Sequence, residues 1–141
     1  MKLVNRLTVF FLMATTIVLG NGPIKKGVLN DALVTYINNI KADISKISDD
    51  RKTQLDKIAG FIQQKVNAGE AVQLTYICTH NSRRSHFGQI WAAAAAVYYG
   101  LPQVITFSGG TEVSAFNERA VAACVRAGFV IKKVSEGPNA R

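Results

Sequence analysis

Val72-Gln73-Leu74-Thr75-Tyr76-Ile77-Cys78-Thr79-His80-Asn81-Ser82-Arg83-Arg84-Ser85 is the stretch whose reading decides the fold. Its first seven residues are rich in β-branched, aromatic and aliphatic side chains, and Gly69-Glu70 bounds them upstream. That pattern predicts a short buried strand ending at Cys78. The polar segment 78–85 then leads into 87–99, where five consecutive alanines and Trp91 predict a helix closed by Gly100 and Pro102. Val104 to Phe107 read as a second strand and Ser108-Gly109-Gly110-Thr111 as a loop. Asn117 can cap a helix through Ala127, Gly128 can end it, and 129–134 read as a third strand. The order β-α-β-α-β predicts an α/β fold: a parallel sheet with flanking helices and right-handed crossovers. In open sheets of this kind ligands bind beyond the carboxyl ends of the strands, which is where Cys78 falls.

Upstream of this unit, Leu33, Ile37, Ile40, Ile44 and Ile47 recur in steps of three and four, one apolar stripe on a helix over 30–47. Ser48 opens a second helix with Asp49 and Asp50 in its first turn and Leu55, Ile58, Ile62 and Val66 on one face, stopped at Asn67-Ala68-Gly69. Neither face carries a titratable cluster, so both helices read as packing elements. Earlier still, Lys2 and Arg6 precede the apolar run 7–19 and the small residues Gly20-Asn21-Gly22. A run this short falls below the roughly 20 apolar residues of a membrane span, so it reads as an export signal, with an uncleaved anchor or a buried helix as alternatives. The chain thus divides into a signal or anchor (1–22), a helical segment (23–69) and a partial α/β domain (70–141). Export places Cys78 and Cys124 in an oxidising compartment, although two cysteines are too few for a disulfide framework.

Seventeen Lys and Arg against nine Asp and Glu leave a net charge of +8 on 141 residues, which favours anionic partners. The charge is diffuse, and no basic helix, ribonucleoprotein motif or zinc-finger spacing argues for nucleic acid. No cofactor or metal is expected, and membrane contact is expected only if the N-terminal segment stays attached.

The chemistry concentrates between Cys78 and Ser85. A segment that leaves a strand and turns into a helix aims several backbone N–H groups at one point, and the helix dipole adds positive potential there. The amides of Thr79, His80, Asn81, Ser82 and Arg83 can therefore hold an oxyanion, with Cys78 at the base, where those amides, the helix N-terminus and the Arg84 guanidinium favour thiolate. Arg84 can offer two parallel donors to two nonbridging oxygens. Ser85 can donate to the sulfur and assist its departure, or cap the helix; Asn81 can take a positive φ or bond across the loop.

On these residues the segment resembles the low-molecular-weight protein tyrosine phosphatases and the related arsenate reductases, whose phosphate-binding loop is Cys-X5-Arg-Ser. The resemblance runs from about 72 to 133 and takes in Ser108-Gly109-Gly110-Thr111-Glu112, Phe116-Asn117-Glu118-Arg119-Ala120-Val121 and Ala127-Gly128-Phe129. It implies Cys78 as nucleophile, Arg84 as phosphate clamp, Ser85 as helper of the leaving thiolate, and Asn81 with Ser108 as a hydrogen-bonded pair that stiffens the loop. His80 stands where glycine is usual, as a proton carrier or a solvent-facing residue, and His86 reads as solvent-facing too. Arg83 stands where many members carry a second cysteine.

The family's general acid is an aspartate in an Asp-Pro pair, whereas every aspartate here (Asp31, Asp43, Asp49, Asp50, Asp56) precedes Cys78. Glu112 is the best substitute, and relative to the family the chain reads as truncated after the third strand. The resemblance implies a phosphotyrosine-type or small oxyanion substrate. Three functions stay open: a weak hydrolase working through cysteinyl-phosphate, an arsenate reductase needing Cys124 as second thiol, and a non-catalytic oxyanion-binding module.

Overall fold

Alternating side chains along 72–78 put Val72, Leu74, Tyr76 and Cys78 on the covered face of a strand and Gln73, Thr75 and Ile77 on the open one, with Val72 wholly buried. The computed structural model describes residues 29–112 and 114–134; the expected signal or anchor, 1–22, lies outside them. Among the described residues no helix is long and apolar enough to cross a membrane. The elements are α1 (Asp31–Lys41), a 3-10 turn (Ala42–Lys46), α2 (Asp49–Asn67), β1 (Val72–Cys78), α3 (Arg84–Tyr98), β2 (Val104–Gly110) and α4 (Glu118–Arg126). The protein is α/β: β1 and β2 pair in parallel from Val72↔Val104 to Cys78↔Gly110, with helices flanking them.

α3 connects the two strands and covers one face of the sheet. Gly88 makes the approach close, because a Cβ there would run into the Tyr76 ring. Another stripe of α3 faces α1: Leu33, Ile37 and Ala94 form a buried cluster, with Trp91, Tyr98, Leu29 and Phe129 packed around it. Trp91 stacks on Tyr36 at 5.5 Å and meets Phe129 edge-on at 4.9 Å.

Several expectations need correction. The helix expected over 30–47 stops at Lys41 and tightens into the 3-10 turn, so only the first half of its stripe is buried; Ile40 and Ile44 are exposed. α2 docks through Ile62 but leaves Leu55, Ile58 and Phe61 exposed, so it covers less than its periodicity implied. α3 begins three residues earlier than expected, at Arg84, and β2 runs through Ser108, Gly109 and Gly110, the residues read as a loop.

The third strand, 129–134, does not form in the described structure: those residues have no regular conformation, and Val130 and Val134 are largely exposed. The reason lies at Gly128. The Asn30 side chain, which accepts from the Leu33 N–H as the α1 cap, also donates to the Gly128 carbonyl at 2.7 Å. The end of α4 is thereby held against α1, and Phe129 is drawn to Trp91 and away from the free edge of β1.

Gly128 has φ +102 and a Cβ there would stand 2.6 Å from the Leu33 nitrogen, so Gly128→Ala should cost about 1–3 kcal/mol. Gly60, inside α2 with nothing within 4 Å of its added Cβ, is the opposite case, and Gly60→Ala should stabilise by about 0.5–1 kcal/mol. Urea unfolding of both variants checks the pair of signs.

Candidate functional site

The loop between β1 and α3 has its carbonyls occupied from outside. The segment after β2 runs beside it: Glu112 N–H donates to Thr79 O at 2.8 Å, the Thr111 hydroxyl to the same oxygen at 3.2 Å, and the Ser114 hydroxyl to His80 O at 2.6 Å. Further along, Asn117 N–H donates to Ser82 O, and the Ser82 hydroxyl donates to Ala115 O, each at 2.9 Å. With the His80 carbonyl held outward, the Asn81 amide of the same peptide faces inward, and it hydrogen-bonds the Cys78 sulfur together with the amides of Ser82 and Ser85. Gly110 permits this contact: a Cβ on it would lie 2.5 Å from Asn81 N and 2.8 Å from Thr79 O.

Asn81 combines both roles expected of it. It has φ 43, the one positive value at a non-glycine among the described residues, and its side-chain oxygen accepts from the Ser85 hydroxyl at 2.8 Å. Ser85 is buried in the first turn of α3 with its Oγ 3.1 Å from Cys78 Sγ, so it is bound into the loop and does not cap the helix. Its hydroxyl has a single proton. While that proton is given to Asn81, the Cys78 S–H can donate to Ser85; once the thiolate forms, the hydroxyl can rotate and donate to sulfur.

These contacts lower the Cys78 thiol to about 6. The Ser85 hydroxyl contributes most, then the Ser85 amide; partial burial opposes them, and the Ser82 and Asn81 amides add the remainder. Near neutral pH the half-exposed sulfur is therefore a thiolate. The Arg84 guanidinium, expected to share in this, does not: Arg84 is exposed and makes no hydrogen bond or ion pair among the described residues. It stands at the first position of α3, within the loop that surrounds the sulfur. Arg83 and Thr79 are exposed as well.

Two other expectations change. Ser108 does not pair with Asn81; its hydroxyl lies 3.3 Å from Nδ1 of His86. The register accounts for this, since Ser108 is a β2 residue opposite Tyr76, two positions short of the level of Cys78. His86 is not solvent-facing. It is half-buried and stacked on Phe116 at 4.4 Å, and burial lowers its affinity for a proton against the opposing pull of the Asn81 carbonyl. His80 does face solvent, but it is paired: Nε2 is 2.9 Å from Glu112 Oε2, with about 60% of both side chains exposed. Sequence reading singled out each residue separately and missed the pair, because only the β1–β2 pairing brings the two loops together.

Cys124 is buried, 1% exposed on the inner face of α4, and burial raises its thiol above the usual value. Both cysteines are free. Among the described residues no cluster of His, Cys, Asp or Glu could hold a metal ion. A groove of about 560 Å³ lies elsewhere, between Leu29, Leu33, Ala93, Phe129 and Ile131, and touches none of the loop residues.

Iodoacetamide should alkylate Cys78 with a midpoint near pH 6, the reactivity being present above that pH and lost below it as the thiolate is protonated. Ser85→Ala should move the midpoint upward, and Gly110→Ala, by pushing on the loop backbone, should do the same; mass spectrometry of the labelled chain reads both. No family model, curated protein or solved structure matches the chain, so what the site can do rests on this geometry.

Proposed function

We propose that the protein is a phosphomonoesterase of the low-molecular-weight tyrosine phosphatase type, in which Cys78 takes the phosphoryl group of an aryl phosphate and passes it to water. The observation that carries this reading is the Cys78 sulfur, lowered to about 6 by inward-turned amides and the Ser85 hydroxyl. Donors that stabilise a thiolate also suit the nonbridging oxygens of a phosphoryl group bound over it. The thiolate attacks phosphorus, the P–O bond to the aryl oxygen breaks, and Arg84 swings over two nonbridging oxygens as charge spreads onto them. In the second step water attacks phosphorus and the S–P bond breaks. The Ser85 hydroxyl, released from Asn81, then donates to the departing thiolate.

Arsenate reduction fits less well. It needs a second thiol to reach the first, and Cys124 is buried with its thiol held in the protonated form. A purely binding role leaves the activated sulfur without a purpose. The fold family, like the activity, belongs to this proposal: a two-stranded parallel sheet with flanking helices is the coarser fact beneath it. No aspartate follows Cys78 in the sequence, so the proton for a poor leaving group must come from another side chain.

Mixing the protein with p-nitrophenyl phosphate should release a burst of one nitrophenol per Cys78, followed by a slower steady rate. Cys78→Ser should abolish both phases. Arg84→Lys should keep the fold and cut the burst rate by on the order of 10²-fold or more, because an ammonium lacks the paired donors of guanidinium. A wild-type protein that alkylates normally but gives no burst would exclude the reading.

A further inference from the structure

The site as described lacks a donor for the proton that an aryl oxide needs as it leaves. We infer that His80, held by Glu112, is that donor: its imidazolium protonates the leaving oxygen, and Glu112 positions the ring. This deepens the phosphatase reading and rests on it.

The pairing stands on more than a surface contact. An ion pair this exposed contributes little energy of its own, so its significance lies in how the two residues are placed. His80 is two residues past the nucleophile, inside the loop that would surround the phosphoryl group. Glu112 is brought there by the parallel pairing, which sets Gly110 level with Cys78 and both strand ends on one edge. The two backbones are then fastened on either side of the pair, by Glu112 N–H and the Thr111 hydroxyl on Thr79 O and by the Ser114 hydroxyl on His80 O.

Glu112 occupies Nε2 of His80, and no hydrogen bond engages Nδ1 among the described residues. A carboxylate in this position orients the ring through Nε2, which leaves Nδ1–H as the proton to give. Other groups serve less well. His86 is engaged by Ser108 and Phe116 and is driven toward the neutral form by burial. Glu118 is in the first turn of α4, and the aspartates all precede β1. Apart from this pair, the titratable and charged groups on β1 and β2 and where α3 begins are Tyr76, Cys78, Arg83, Arg84 and His86, none of them a carboxylate.

The proton balance closes without a further reactant. As S–P forms and P–O breaks, the proton passes from Nδ1 of His80 to the aryl oxygen, and a neutral phenol leaves. When water later attacks the cysteinyl-phosphate, it gives its proton to the neutral imidazole, S–P breaks, and inorganic phosphate departs with His80 recharged.

The test compares two esters, phenyl phosphate, whose leaving group is strongly basic, and p-nitrophenyl phosphate, whose leaving group departs without a proton. His80→Ala should slow phenyl phosphate by about 10²-fold or more and p-nitrophenyl phosphate by less than about tenfold. Added imidazole should restore the phenyl ester preferentially. Glu112→Gln, which removes the carboxylate that orients the ring, should slow the phenyl ester more than the nitrophenyl ester. Equal slowing of both esters in His80→Ala would overturn the assignment of His80 while leaving the Cys78 burst intact. Absence of that burst from the wild type would overturn the phosphatase reading and this assignment with it.

Discussion

Everything around Cys78 depends on which way the peptide groups of the 79–82 loop face. A loop of this kind can aim its carbonyls or its amides at the centre, and only the second arrangement attracts an anion. The choice is made by the chain that follows β2. Thr111, Glu112, Ser114 and Asn117 donate to the carbonyls of Thr79, His80 and Ser82. A carbonyl satisfied from outside has no reason to turn inward, and the planar peptide then carries its amide neighbour toward the sulfur. Part of the thiolate's stabilisation is therefore a consequence of strand pairing, since without β2 beside β1 this outer chain has no fixed path past the loop; the Ser85 hydroxyl and amide at the start of α3 contribute the larger part.

The same pairing limits what each side chain can do. Ser108 stands opposite Tyr76 and meets His86, while Gly110 stands opposite Cys78 and has no side chain to obstruct the loop. Moving β2 by one residue would exchange its two faces and put Cβ atoms where the loop backbone runs. Ser85 joins the two systems: buried at the start of α3, it holds Asn81 in its left-handed conformation through one contact and faces the sulfur with another. Packing supports the arrangement from below. Trp91, one and a half turns further along α3, is wedged among Tyr36, Phe129 and the Leu33–Ile37–Ala94 cluster, so the helix that presents Ser85 is anchored by the helical N-terminal segment.

One face of the sheet remains open. Ile77, Ile105 and Phe107 are exposed on the side away from α3, and the outer edge of β1 has no partner among the described residues. Residues 129–134, expected as a third strand, follow a helix whose end is tied to α1 by Asn30 and Gly128. This contact, between residues 98 apart in the chain, outweighs the β-propensity of Val130, Ile131 and Val134, a preference that takes effect only once a partner strand is aligned.

The sequence by itself determined the elements and the reactive groups. A β-rich run ending at Cys78, an alanine-rich helix behind it, Asn117 and Gly128 as helix boundaries, and the Cys-X5-Arg-Ser spacing are all local, because helix caps, strand propensity and a strand-to-helix loop involve residues close together in the chain. Asn81 and Ser85 were readable for the same reason. Tertiary structure alone decided the rest: that Ser108 meets His86, that Arg84 is exposed and does not create the thiolate, that 129–134 stays out of the sheet, and that His80 and Glu112 are paired. Each of these depends on the register of β1 against β2 or on how α4 docks against α1. Such contacts join residues tens of positions apart, and no spacing along the chain encodes which of their possible partners they will meet.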